Sequence, residues 1–333
     1  MQLGEIGFSL WCDFLERDFL EGEFAELISK GIIKGATSNP AIFQSSFTTS
    51  AAYKESIAEL KGHSPKQIYE ALAIADITRA ADLLMPLHME NPEDGWVSIE
   101  VDPFLCTDSM GTISEGVRLY GAIARPNVMI KIPATEAGYG AMETLIARGI
   151  SVNATLVFSP KQAQKCLEAF ARGYNKGECA EAERPQAVIS IFVSRLDRKY
   201  DKSLQELGIA PSLLGIRNAQ RIYRQIEAVR VKGVRALFAS TGVKGDALAP
   251  SYYVDSLLHA HSINTAPLHT IRAFVNAGSR TQSAIPSFEE EVSFFEEIER
   301  VGIDLELGFD ELLAEGIILF KESFQSLLYT LEA

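Results

Sequence analysis

Eight short apolar runs rich in β-forming residues recur along the 333-residue chain, separated by longer amphipathic stretches. They cover residues 8–13, 35–39, 96–101, 127–133, 150–157, 187–194, 235–240 and 262–267. Runs this short and this uniformly apolar suit strands buried on both faces, as in a parallel sheet covered by helices. The stretches between them carry helix signals. Residues 66–87 place Ile68, Leu72, Ala75 and Leu83 on one helical face. Ser159 offers a capping hydroxyl just ahead of Pro160, a residue suited to a first helical turn. Residues 212–229, 288–301 and 310–331 are further helical stretches. Eight strands alternating with helices predict a single (β/α)8 barrel over residues 1–333, with additional helices including one at the C-terminus. The competing arrangement is a doubly wound open sheet. Its nucleotide-binding version is disfavoured, because no G-x-G-x-x-G follows the first strand and no G-x-x-x-x-G-K-[ST] occurs.

Composition narrows the partners. Hydrophobic residues make up 47% and charged ones 23%, which excludes disorder of the whole chain. The net charge of -13 argues against a nucleic-acid backbone, whose electrostatic recognition needs a basic face. No apolar run approaches the roughly 18 residues that span a bilayer. The first twenty residues lack a basic segment and carry Glu5, Asp13, Glu16 and Asp18, so no secretory signal is expected. Cys12, Cys106, Cys166 and Cys179 form no C-x-x-C pair. A reduced, cytoplasmic protein with packing cysteines is expected, with no membrane partner. His259 and His261 are close enough to suggest a metal on one strand face, but a structural role for both is the favoured reading and no metal site is expected.

Functional side chains collect at the C-terminal ends of the strands, where barrels of this kind carry their chemistry. Asp13 ends the first run, Asn39 the second, and Glu100 and Lys131 lie in the third and fourth. Strand side chains alternate, so Asn153 and Thr155 share a face, as do Ser190 and Phe192, with Arg195 just beyond. Ser240 closes the seventh run and Lys244 follows it. Lys131, set among Val128, Met129, Ile130 and Ile132, is a candidate amine nucleophile toward a ketone carbonyl. A snorkelling side chain or an ion pair explains the same position without chemistry. Glu100 and Asp13 are candidate proton carriers. Alternatively, Asp13 caps a turn and Glu100 simply pairs with Lys131. Asn39, Asn153, Thr155, Ser190 and Ser240 suit polyol oxygens, or serve as strand-end hydrogen-bonders. Arg195 and Lys244 suit a phosphate, or are solvated charges.

At these residues the sequence resembles the transaldolases. The likeness runs through K-G-A-T-S-N-P at 34–40, V-S-I-E-V-D at 97–102, V-M-I-K-I-P-A-T at 128–135, V-N-A-T-L-V-F-S at 152–159 and I-S-I-F-V-S-R-L-D at 189–197. The shorter A-S-T-G-V-K at 239–244, similar to a bacterial branch, and N-T-A-P at 264–267 follow in order. The resemblance implies a single barrel with no metal or organic cofactor, moving a dihydroxyacetone unit between sugar phosphates in the pentose phosphate pathway. It implies Lys131 as Schiff-base lysine, Glu100 acting with Thr155 through a water, and Asp13 as acid/base for C–C cleavage. Asn39 and Asn153 would hold substrate hydroxyls, Ser190 and Phe192 would shape the wall, and Arg195 would bind phosphate. Better-known members carry an arginine two residues after the strand-seven serine. Here that position is Gly242, leaving Lys244 as the nearest base. The rivals are a fructose 6-phosphate aldolase-like lyase, a metal-dependent barrel enzyme and a non-catalytic barrel that binds sugar phosphates. The oligomeric state, monomer or homodimer, is not readable from the sequence.

Overall fold

The computed structural model describes residues 6–177, 184–278 and 281–332; Cys179 lies outside them. Eight strands form where the apolar runs stand: β1 (Ser9–Cys12), β2 (Gly35–Thr37), β3 (Trp96–Glu100), β4 (Val128–Pro133), β5 (Val152–Val157), β6 (Ala187–Phe192), β7 (Val234–Ala239) and β8 (Ser262–Ala266). Each pairs in parallel with the next, and β8 returns to β1, closing the barrel. The strands are shorter than the apolar runs. Asp13, Asn39 and Ser240 lie beyond the last paired positions, so these polar groups begin the loops rather than end the strands.

The register sorts every strand into two faces. Val97, Ile99, Val128, Ile130, Ile132, Ile189 and Ile191 belong to the large core between strands and helices. Alternate residues point into the barrel. Trp11 lies opposite Gly35, which lies opposite Trp96; a Cβ on Gly35 would stand 2.5 Å from the Trp11 indole, so only glycine leaves room for that ring. Trp11, Trp96, Met129, Val188, Leu237 and Ile263 share a second apolar cluster that fills the barrel's middle. One step further along the same face come Asp13, Thr37, Lys131, Ser190 and Thr265.

Below the apolar layer, at the N-terminal ends of the strands, sits a buried polar plug. Arg235 donates to the carbonyls of Glu93 (2.9 Å), Gly7 (2.8 Å) and Ser262 (3.1 Å) and to Ser9 Oγ (3.2 Å). Asp94 accepts from Ser9, from Lys34 Nζ at 2.8 Å and from Asn91 at 3.1 Å. Removing one partner of a buried charged cluster leaves the rest unsatisfied. Arg235→Met should therefore cost roughly 3–5 kcal/mol in urea unfolding, while activity per folded molecule stays at the parent level.

The helix signals hold with shifted ends. Helix Pro65–Glu90 starts from a Ser64–Gln67 capping box and continues past Pro86. Helix Pro160–Lys176 has the Ser159 cap and first-turn proline that the sequence shows. Helix Leu214–Val229 begins two residues later than expected, because Ser212 is bound to the Asp201 carboxylate through both its N–H and its hydroxyl. The last helix, Leu305–Glu332, begins five residues earlier than expected, where Asp304 Oδ1 accepts the N–H of Leu307 at 3.0 Å. Helix Phe288–Arg300 keeps its expected start. Among the described residues no helix is long and apolar enough to cross a membrane.

The two neighbouring histidines have separate lives. His259 is buried and stacks on Tyr223 at 5.1 Å, and burial pushes it down to about 4. His261 pairs with Glu227 at 2.9 Å. Cys12, Cys106 and Cys166 are free and buried.

Candidate active site

The C-terminal strand ends and the last helix line a cavity open to solvent. Of the candidate residues, Asp13, Asn39, Lys131, Thr155, Ser190, Phe192, Arg195 and Ser240 line it. Glu100 and Asn153 do not line it but are buried beside lining residues, Glu100 against Lys131 and Asn153 against Ser190. Lys244 stands apart, exposed on the loop after β7. A Cβ at Gly242 would stand 3.0 Å from the Pro267 ring, so a side chain there would require that ring to shift slightly.

Lys131 projects from β4 with only 5% of its surface exposed. Its Nζ donates to the Ser38 carbonyl at 2.9 Å, stands 3.4 Å from Glu100 Oε2 and lies 5.7 Å from the centre of the Phe320 ring. Glu100 is the register partner of Lys131 on β3. Neither of its oxygens accepts a hydrogen bond within normal distance among the described residues. Burial pushes its carboxyl up to about 7, although the Lys131 ammonium pulls in the other direction. Thr155 Oγ1 is likewise buried and without a protein partner among the described residues.

Asp13 lines the same cavity. Burial raises its pKa, against the pull of Lys131 and of the Thr37 hydroxyl, which donates to Oδ1 at 2.6 Å. Asn153 is held at both ends of its amide: it donates to Ser98 Oγ at 3.1 Å and accepts from Ser190 Oγ at 2.6 Å. Asn39 caps helix Pro40–Thr49 by accepting the Ile42 N–H at 3.0 Å, which leaves its NH₂ group for the cavity. The capping role of Asn39 is thus compatible with a polar group on the cavity wall.

A cationic corner closes the cavity. The Arg195 guanidinium lies 5.1 Å from the Phe192 ring centre, and its Nη1 is buried without a hydrogen-bond partner among the described residues. Burial and the neighbouring Arg198 both make its charge more costly. Ser240, at φ 56°, contacts Ser194 Oγ at 3.0 Å. Leu156, at φ 57°, marks an irregularity in the β5–β6 register immediately after Thr155. Left-handed non-glycine residues also occur at Ala124, Ser212, Arg230 and His261, so these two are not peculiar to the cavity.

The sequence reading missed Thr37, Thr265 and Phe320, all of which line the cavity. Alternation would have found Thr37, two residues before Asn39. Nothing local marks Phe320, an aromatic residue on an amphipathic helix. Among the described residues no group of three or more His, Cys, Asp or Glu side chains is placed to hold a metal ion.

A closed parallel barrel with a buried lysine, two carboxyl groups and an arginine at its strand C-termini defines a class: barrel enzymes whose chemistry is that of an amine and proton carriers. The comparisons make the class specific. The model of the transaldolase/fructose-6-phosphate aldolase family matches residues 10–331. A protein named transaldolase from Helicobacter pylori (strain Shi470) is 47% identical over 324 residues, covering 96% of this chain and 98% of that one. A transaldolase from Campylobacter jejuni (strain 81-176) is 46% identical over 333 residues, covering 97% and 99%. The chain belongs to the transaldolase/fructose-6-phosphate aldolase family.

Proposed function

We propose that the chain is a cytoplasmic transaldolase, working as one catalytic unit, monomeric or homodimeric, on phosphorylated sugars. It would carry a dihydroxyacetone unit from sedoheptulose 7-phosphate or fructose 6-phosphate to glyceraldehyde 3-phosphate or erythrose 4-phosphate. The observation that carries this reading is the buried Lys131, in contact with Glu100 and sharing with Asp13 a cavity lined by hydroxyl, amide and guanidinium groups. The Lys131 amine attacks the C2 carbonyl of the ketose. Glu100, with a pKa near 7, is suited to give and take the protons that turn the carbinolamine oxygen into departing water, with Thr155 orienting that water. Asp13 takes the proton of the C4 hydroxyl. The O–H electrons become the leaving aldehyde's carbonyl, and the C3–C4 pair moves to the enamine, neutralising the iminium nitrogen. The second aldehyde then enters, and the steps run in reverse.

Asn39, Asn153 and Ser190 hold the hydroxyls of the three-carbon unit, and Phe192 forms a wall. Arg195 and Ser240 receive the phosphate, whereas Lys244 is exposed and outside the cavity lining. The test separates transfer from simple cleavage. Fructose 6-phosphate should be consumed only when erythrose 4-phosphate is present. Release of free dihydroxyacetone at the same rate without acceptor would replace transfer by an aldolase reading.

A further inference from the structure

Thr37 and Thr265 face one another across the cavity wall, with Oγ atoms 2.7 Å apart, and Thr37 Oγ1 also lies 2.6 Å from Asp13 Oδ1. Both threonines are buried, at 2% and 3% exposure. A hydroxyl has one proton to give. While Asp13 is ionised, Thr37 must donate to the carboxylate, so Thr265 must donate to Thr37. Among the described residues no other hydrogen bond reaches the Thr265 hydroxyl, and none reaches Asp13 Oδ2. The chain therefore has one polarity, from Thr265 through Thr37 to Oδ1. It anchors Oδ1, whose basicity the Thr37 proton lowers, and leaves Oδ2, which has no donor among the described residues, as the more basic oxygen.

We propose that Thr37, backed by Thr265, is a positioning residue that commits Oδ2 of Asp13 to the proton transfer accompanying C–C cleavage. This rests on the transaldolase reading for what the proton transfer accomplishes, but the hydroxyl chain acts on Asp13 whatever the substrate. The charged and titratable groups around Asp13 are Lys131 on β4, Glu100 on β3 and Cys12 on its own strand. All three stay in place when Thr37 changes, so a shift in Asp13 titration reports the lost hydroxyl.

The experiment compares Thr37→Val, Thr265→Val and Thr37→Ser with the parent enzyme by two measurements. In the first, the Asp13 carboxyl carbon is followed by NMR against pH, its resonance identified by its loss in Asp13→Asn. The titration midpoint should move up in Thr37→Val, move up less in Thr265→Val and return in Thr37→Ser. In the second, kcat should fall on the order of tenfold or more in Thr37→Val, as for loss of a hydrogen bond to a charged group. The acid limb of its pH profile should move upward, while borohydride still traps the substrate adduct on Lys131. Thr37→Ser should recover most of both. An unmoved Asp13 midpoint in folded Thr37→Val, or failure of serine to restore it, overturns the relay. If the parent shows no acceptor-dependent transfer yet the midpoint moves as stated, the relay stands and the transaldolase reading falls.

Discussion

Lys131→Met should bring turnover to background, a loss of roughly 10⁶-fold or more because the whole covalent route is removed. Borohydride reduction in the presence of fructose 6-phosphate gives the direct readout. Peptide mapping should find a three-carbon adduct confined to Lys131 in the parent and none in the variant. The variant should fold at neutral pH, since methionine fits beside Phe320 and a Glu100 that has lost its countercharge can stay protonated. Retained turnover in Lys131→Met would end the Schiff-base reading.

The second large effect belongs to Glu100, and it has opposite signs for activity and stability. Glutamine keeps the shape but cannot carry a proton, so Glu100→Gln should lower kcat by about 10²–10⁴-fold. Stability should move the other way. The Glu100 carboxyl sits at about 7, above its ordinary 4.5. Between those values the folded protein keeps a proton that the unfolded chain has released, so stability falls as pH rises. Above about pH 7 the full cost, on the order of 3 kcal/mol, is present. Glutamine never ionises. The variant should therefore melt higher than the parent at pH 8, and the gap should close below about pH 4.5. Thermal unfolding across that range checks the sign, and a variant that melts lower at pH 8 would show that Lys131 contributes more to the charged form than burial takes away.

The barrel was legible because each strand is buried twice over. Val128, Ile130 and Ile132 face helices while Met129 and Lys131 face inward, so β4 reads as one apolar run broken by a single lysine. The same alternation exposed Asn153, Thr155, Ser190 and Phe192. Strand ends were less legible, because Asp13, Asn39 and Ser240 look like strand residues in sequence yet sit past the ladder. What the sequence concealed came from long-range meetings. Thr37 and Thr265 stand 228 positions apart and share one hydrogen bond. The Ser38 carbonyl that holds Lys131 is a backbone group, with no side-chain signature at all. Phe320 reaches the lysine only because the last helix packs against helices Pro40–Thr49 and Pro65–Glu90, where Gln44 donates to Ser326 at 2.7 Å and Tyr69 meets Phe324 edge-on at 5.2 Å.

That last helix ties the site to the order in which the chain is made. Asp13 leaves the ribosome roughly 300 residues ahead of Phe320, an interval of about 15–60 s at ordinary translation rates. Once β8 (Ser262–Ala266) has been made, the strands and Lys131 can assemble while the roof over the amine does not yet exist. A chain interrupted before its last helix would carry the nucleophile open to water and to any passing aldehyde, without the aromatic cover under which the finished enzyme works.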